Sequence, residues 1–272
     1  MSNAAPPLET GHEPTTPIGD TLLRRFLCNW TEAIDALATS MGGRTLRRDD
    51  LHATDVGRPA GYANAATLLR PLTSASVDEV LAELAGFYGF GGDAGGEVVL
   101  FSPWPTPDLR SHGWSLMGHP PLHLLAPGRS LPPPPPGLRI DEVRDAAALR
   151  AWEAAAGAGF PFPEWDSLGP GSLIGEGVLG DPRWRLWTGW LEDRPVSIAA
   201  AFVEHGISNV VLVATVPEAR RRGYGEAVTW RAALAEPGLP AMLLSSDPGR
   251  PVYERMGFLP LFRFTLWYRD RP

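Results

Sequence analysis

The chain has 272 residues, 44% of them hydrophobic, and a formal net charge of −7 at pH 7. This length is sufficient for two ordinary domains, each with its own core. The single cysteine, Cys28, excludes an intramolecular disulfide and a cysteine zinc cluster. No apolar run approaches the length of a membrane span and the first residues lack a signal-peptide pattern, so we expect a cytoplasmic protein with no membrane contact.

The basic residues are concentrated near the C-terminus. Residues 217–272 contain nine arginines and six acidic residues, a local charge of +3, which leaves −10 for the rest of the chain. Because the basic excess is confined to one segment, the sequence favours a polyanionic small ligand there over an extended nucleic-acid surface. We therefore expect no nucleic-acid partner.

The N-terminal half is predicted to be a small α/β unit. Residues 1–17 have few apolar side chains and are predicted to be a disordered tail. Residues 18–125 are predicted to form the domain, with amphipathic helices and strands at 20–40, 76–87, 45–55, 65–72 and 98–101.

A proline-rich linker is predicted at residues 126–137, which contain five consecutive prolines. Such a run adopts polyproline II at about 3.1 Å per residue, so it forms a semi-rigid spacer of roughly 15 Å. A second domain is then predicted at 138–272. Its pattern favours one helix at 145–156, an irregular segment at 157–181, and strands at 138–143, 184–191, 196–204, 210–216, 241–246 and 262–268.

The turn after the strand 210–216 has the composition of a phosphate-binding loop. The predicted ligand-binding residues of this turn are Arg220, Arg221, Arg222, Gly223, Tyr224, Gly225 and Glu226. A helix follows at once, and its first backbone N–H groups have no intrahelical partner, so they point donors at an anion. The two glycines are expected to adopt positive φ and to leave the backbone bare, while the arginines add charge and forked donors.

Two other phosphate motifs are excluded here. The spacing is not the dinucleotide pattern G-x-G-x-x-G, because position 228 is Val228, and it is not a P-loop, because the chain contains no lysine. The pattern is Arg-x-x-Gly-x-Gly. It is followed by a second apolar strand at 241–246 and by Tyr253-Glu-Arg-Met-Gly-Phe258.

With these three elements in this order, residues 138–272 resemble the GNAT family, the GCN5-related N-acetyltransferases. The resemblance implies an acyltransferase that moves an acetyl group from acetyl-CoA to an amine of a small molecule or peptide, with no metal. It also implies that the main chain of Ala214, Thr215 and Val216 pairs with the pantetheine arm. Ser246 stands where the family often has asparagine, which weakens the expected hydrogen bond to that arm.

Two residues are candidates for proton transfer. Tyr253 is the candidate acid, because a phenol can hand a proton to a leaving thiolate; the alternative is a tyrosine that merely packs on the sheet. Glu204, beside His205 at a strand end, is the candidate base, although such residues are usually just solvated. The loop at 160–166, rich in aromatic and acidic residues, together with Glu176, is predicted to select a cationic amine or simply to pack as a lid.

The two halves share a short match. Residues 117–122 and 256–261 have Met, Gly, Pro and Leu in register, which suggests an internal repeat. We therefore predict a tandem of two GNAT-like domains, each a mostly antiparallel twisted sheet flanked by helices, an α/β (α+β) fold. The first copy lacks Arg-x-x-Gly-x-Gly, so it is predicted to be degenerate and non-catalytic.

The remaining patterns are weak. His119 and His123 are four residues apart, but the prolines between them exclude the helix that would align them as metal ligands. One functional alternative stays open: a non-catalytic acyl-CoA-binding sensor or scaffold. The sequence does not predict the acceptor, the acyl chain or the oligomeric state.

Overall fold

The computed structural model describes residues 21–90, 96–160 and 169–271. The predicted tail and most of the loop at 160–166 lie outside these ranges. The helices are α1 Leu22–Ser40, α2 Val77–Tyr88, α3 Ala146–Gly159, α4 Tyr224–Ala233 and α5 Arg250–Arg255. None of the helices in the described ranges is both long and apolar enough to cross a membrane.

The strands form two sheets. The first sheet has the order β1-β2-β3-β4-β13-β5, with only β3 and β4 parallel. Its strands are β1 Arg44–Arg47, β2 Leu51–Asp55, β3 Ala65–Leu68, β4 Gly96–Ser102, β5 Ser115–Gly118 and β13 Thr265–Arg271.

The second sheet has the order β12-β6-β11-β10-β9-β8-β7, with only β10 and β11 parallel. Its strands are β6 Pro121–Leu125, β7 Leu138–Glu142, β8 Trp184–Leu191, β9 Arg194–Glu204, β10 Ile207–Thr215, β11 Ala241–Leu244 and β12 Leu259–Arg263. Two mostly antiparallel sheets flanked by helices confirm the predicted fold class.

The two halves exchange their last strands. Strand β6 precedes the linker but lies between β11 and β12 of the second sheet, with Leu125 opposite Ala241. Strand β13 ends the chain but lies between β4 and β5 of the first sheet, with Leu266 opposite Phe101. The predicted limits 18–125 and 138–272 therefore do not divide the strands by sheet, because strand periodicity identifies a strand without specifying its partner.

The strand order repeats, as the tandem prediction requires. The first sheet has the order β1, β2, β3, β4, exchanged strand β13, β5. The second sheet has the same order in β8, β9, β10, β11, exchanged strand β6, β12, with β7 as an additional edge strand. The short match at 117–122 and 256–261 does not align equivalent elements, however. Met117 lies inside β5, whereas Met256 caps the end of α5.

Helix α1 joins the two sheets through a shared core. Its residues Phe26, Trp30 and Ile34 pack with Phe101 of the first sheet and Met242 of the second. The common cluster contains Phe26, Leu27, Trp30, Ile34, Ala65, Val99, Phe101, Leu122, Ile207, Met242, Phe264 and Leu266. The halves are thus packed on one another and do not form two separately closed cores.

Polar contacts reinforce this junction. The buried amide of Asn29 donates Nδ2 to the carbonyls of Phe202 at 3.1 Å and Glu204 at 3.0 Å. Arg183 pairs with Glu32 at 3.1 Å. These bonds fix α1 against the end of β9, so residues from the first half have a defined position beside the second sheet.

Candidate functional site

The site is built around an opening between two parallel strands. Strand β10 pairs with β11 only at Ser208 and Asn209, opposite Ala241 and Met242, and beyond Asn209 no further pair joins them. On its other side β10 contains a β-bulge, since the register moves three residues, from Val211 to Ala214, while β9 moves two. Bulged backbone leaves the ladder locally unpaired, so an extended ligand arm can bond to it.

A helix N-terminus lies at the end of this strand. Gly223 is the N-cap of α4 and has φ +81°, the left-handed conformation that glycine adopts without strain. The N–H groups of Tyr224, Gly225 and Glu226 have no intrahelical acceptor, because they belong to the first turn. Together with the positive end of the helix dipole they form an anion-binding surface.

Gly225 is needed for a different reason from the one predicted. It lies inside α4 and is not among the residues with positive φ. A Cβ atom at this position would lie 2.8 Å from Thr215 Oγ1. Glycine therefore allows the first turn of the helix to pack closely against the end of β10.

The three arginines have different tasks. Arg220 donates Nε to the Thr215 carbonyl at 3.0 Å and Nη2 to the Gly159 carbonyl at 2.8 Å. It ties the turn to β10 and to the end of α3. Arg221 and Arg222 are exposed, and neither forms an ion pair with an acidic group in the described ranges. Their guanidinium groups are thus available to an anion.

The three residues predicted to contact a ligand through their main chain have buried or half-buried side chains. Ala214 and Val216 are buried in the core beside α3, and Thr215 is half-buried. Val216 donates its N–H to the Val196 carbonyl at 3.0 Å. Ala214 and Thr215 pair with β9, so one edge of β10 is satisfied and the edge facing β11 is open.

Tyr253 lies across the opening from the bulge. It extends from α5, and its ring centroid is 6.4 Å from that of His123 and 6.0 Å from that of Phe258. Burial raises the pKa of Tyr253 to about 12, so the phenol keeps its proton at neutral pH. Ser246 is nearby and its Oγ accepts from the Gly249 N–H at 3.3 Å.

These residues meet at a cavity of about 320 Å³. Its lining includes the bulge of β10, the segment from Leu243 to Asp247 and Tyr253. The opposite wall comes from the first half of the chain, chiefly from α1 and from residues 117–120. The structure thus brings Ser246 and Tyr253 to the same cavity as the bulge of β10, whereas Ala214, Thr215 and Val216 lie beyond its lining.

The candidate base is not brought to this cavity. Glu204 is the last residue of β9, just before the turn to β10 and away from the arginine turn, and it does not line the cavity. Its Oε1 accepts the His205 N–H at 3.2 Å, and His205 Nε2 lies 2.8 Å from Glu32 Oε1. Glu176 is also absent from the lining, whereas Phe160 belongs to it.

Two buried polar residues were missed. Asn209 is 1% exposed and lines the cavity, yet neither Oδ1 nor Nδ2 has a hydrogen-bond partner within the described residues. His123 is fully buried beside Tyr253, and burial lowers the pKa of its imidazole. In the sequence, the only indication of these two residues was a polar side chain within an otherwise apolar strand pattern. In the ranges that the structure describes, no three His, Cys, Asp or Glu residues cluster as a metal site would require.

Comparison with solved structures identifies the fold. A GCN5-related N-acetyltransferase from Kribbella flavida matches with a TM-score of 0.61 and 20% identity, over 89% of this chain and 95% of that one. A functionally unknown conserved protein from Staphylococcus epidermidis matches with a TM-score of 0.60 and 11% identity, over 85% of this chain and 96% of that one. A putative GNAT-family acetyltransferase from Novosphingobium aromaticivorans matches with a TM-score of 0.53 and 19% identity, over 87% of this chain and 97% of that one.

The likeness covers most of the chain, so both halves and their arrangement are shared with these proteins. The protein therefore has the fold of GCN5-related N-acetyltransferases in a two-sheet arrangement. No family model matches the sequence, and no curated protein matches it.

Proposed function

We propose that the protein is an acetyl-CoA-dependent N-acetyltransferase whose chemistry takes place in the second sheet. One observation carries the proposal: the open edge of β10 and Tyr253 line one cavity, and the N-terminus of α4 packs against Thr215 at the end of the same strand. An extended pantetheine arm can add to the free edge as a short strand. The diphosphate then meets the first N–H groups of α4, with Arg221 and Arg222 beside it.

The transfer follows from this placement. The amine nitrogen attacks the thioester carbonyl, the new C–N bond forms, and the C–S bond breaks. A backbone N–H near the bulge polarises the carbonyl oxygen. The departing thiolate takes the phenolic proton of Tyr253, whose surroundings desolvate the thiolate as well and so favour its protonated form.

The amine loses its proton to a base or to water. Glu204 in this role requires a water relay, because the turn from β9 to β10 does not line the cavity. A non-catalytic acyl-CoA-binding module would use the same cradle without transfer. Thiol release in the presence of an amine separates these two functions.

The cradle is tested with Gly225→Val, which places a branched side chain against Thr215. We expect coenzyme A binding, measured by calorimetry, to weaken at least 100-fold. Gly86→Val is the matched control, since Gly86 lies in α2 with open space around its Cβ position. Equal affinity in wild type and the Gly225 variant would refute the assignment; binding without thiol release on any amine would leave the non-catalytic module.

A further inference from the structure

The wall of the cavity opposite β10 and β11 comes from the first half of the chain. Helix α1 contributes Phe26, Trp30 and Ile34, and the first sheet contributes Phe101. The rings of Trp30 and Phe101 lie 4.7 Å apart between centroids, and Tyr62 packs on Phe101 at 6.1 Å. All of these residues belong to the half that lacks the arginine turn, so that half shapes the cavity.

The described part of the wall carries almost no charge. Among the described lining residues Asp247 supplies the one carboxylate, and it is exposed; His119 is the other titratable side chain apart from the two tyrosines. Burial raises the pKa of Tyr62, so its phenol is neutral as well. A polycationic ligand would lose its hydration here without gaining counter-charges, which is unfavourable.

Three buried side chains that line the cavity have polar atoms without a hydrogen-bond partner among the described residues: Asn209, Ser245 and Trp184. Of these, the Asn209 amide offers both a carbonyl acceptor and N–H donors. Asn209 forms the last backbone pair before β10 and β11 separate, and its amide is buried without a partner in the described part of the chain. Leaving a buried amide unpaired is unfavourable. A ligand nitrogen that donates to Oδ1, or an oxygen that accepts from Nδ2, would remove this cost.

The size restricts the ligand further. At about 320 Å³ the cavity lies near the lower end of the range for small-molecule sites, roughly 300–1,000 Å³. One ring system with a short side chain suits this volume and the aromatic wall. A folded protein surface does not enter such a space.

We propose, resting on the acetyltransferase function above, that the acceptor is a small monoamine on an apolar, ring-containing body, held by the wall from α1 and the first sheet and by the amide of Asn209. The first half is then the acceptor-binding part of the site and not an idle copy. This differs from the predicted selection of a cationic amine by the loop at 160–166.

The primary experiment measures amine selectivity. Acetyl-CoA is offered with 2-phenylethylamine and tryptamine, and separately with spermidine and an aminoglycoside. We expect kcat/KM for the aryl amines to exceed that for the polycations at least 100-fold. Faster transfer to the polycations would overturn this inference and leave the acetyltransferase function intact.

A matched pair of variants tests the wall. Met117 lines the cavity and is 41% exposed, whereas its neighbour Leu116 is 38% exposed and does not line it. Met117→Glu should lower kcat/KM for 2-phenylethylamine about tenfold and raise it for spermidine. Leu116→Glu should change neither, and equal effects of the two substitutions would contradict the placement.

Asn209→Leu keeps the side-chain size and removes the amide. We expect KM for 2-phenylethylamine to rise about tenfold while coenzyme A affinity stays constant; Asn209→Asp is a second variant if the leucine form does not fold, with a shift toward spermidine. An unchanged KM for 2-phenylethylamine in the variant that folds would show that the cavity takes an acyl chain instead. A preference of the wild type for octanoyl-CoA over acetyl-CoA would show the same, if Asn209→Leu increases that preference.

Amine binding can also be measured directly, in the absence of catalysis. Calorimetry with 2-phenylethylamine, with and without coenzyme A, should show binding that Met117→Glu weakens. Absence of binding in both conditions overturns the inference. Binding of the amine by a protein that fails to bind coenzyme A would instead support the cavity assignment and refute the proposed function.

Discussion

The two parallel strand pairs of the molecule occupy equivalent places, but only one is open. Strands β3 and β4 pair at Ala65, Ala66 and Thr67, three of the four residues of β3. Strands β10 and β11 pair at two residues, although β10 has nine. The same topology therefore holds a closed ladder in one sheet and a cleft in the other.

Local sequence explains the difference. In the first sheet, β2 and β3 pair in even register and Trp30 Nε1 donates to Thr67 Oγ1 at 3.1 Å, so an aromatic side chain covers the closed pair. Helix α2 begins with Asp78 and Glu79 in its first turn, which would repel a phosphate. Helix α4 begins instead after three arginines and a left-handed glycine, with one acidic residue, Glu226, in its first turn. A bulge, two glycines and more basic surroundings distinguish the proposed ligand site from the packing surface.

The largest expected effect tests whether the halves can be separated at all. Trp267 lies on the exchanged strand β13, is 4% exposed, and donates Nε1 to Thr106 Oγ1 at 2.8 Å. Trp267→Ala should reduce the free energy of unfolding by about 3–5 kcal/mol, since it removes a large buried ring. Denaturant titration measures this.

The control for this variant is Leu261→Ala, on the exposed side of β12, where Leu261 is 42% exposed. We expect a change within about 0.5 kcal/mol. Because α1 and the exchanged strands are shared, Trp267→Ala should shift one transition for the whole molecule. Two transitions, with only one of them moved, would show that the sheets unfold independently.

The next effect compares Tyr253, which lies between β11 and β12, with Trp114, which lies between the equivalent strands β4 and β5. Tyr253→Phe should lower kcat about 100-fold, the scale of a lost general acid, with coenzyme A affinity kept. Trp114 is 2% exposed and packs in the core of the first sheet, so Trp114→Phe should leave kcat unchanged. Equal losses in the two variants would indicate a structural role for both rings.

The pH profile sharpens this comparison. Burial raises the pKa of Tyr253 to about 12, so its acid form persists through neutral pH and is lost as pH rises through that value. We expect kcat to show no alkaline decline from this group below about pH 11. A decline centred near pH 10 that Tyr253→Phe abolishes would contradict the buried environment of the phenol.

Local structure was easier to predict than the assembly around it. The turn into α4 was predictable because glycine, arginine and a helix start within seven residues are a local signal. The strand exchange was not, because Pro121–Leu125 and Thr265–Arg271 have strand patterns that fit either sheet. Register and partner depend on long-range packing, as does the common core around Trp30.

Residues whose importance depends on their three-dimensional surroundings were the hardest to predict from the sequence. Asn209 is informative because its amide has no partner among the residues that the structure describes, which a strand pattern alone does not show. Glu204 had the right chemistry, but its distance from the cavity depends on which end of β10 faces Tyr253. Gly225 was expected to adopt positive φ, but it lies in α4 with ordinary φ, and its close contact with Thr215 is what excludes a side chain.

The smallest effect concerns the exposed arginines and compares the two helix starts once more. Arg222→Ala should weaken coenzyme A binding only about threefold, because an exposed charge is largely screened. The loss should shrink further between 50 and 300 mM salt, as we expect for a screened contact. Arg70, which follows β3 before the acidic start of α2, is the counterpart, and Arg70→Ala should leave the affinity unchanged at both salt concentrations. Calorimetry measures both variants, and a salt-independent loss for Arg222→Ala would mean that its guanidinium is buried on binding and bonds directly to the ligand.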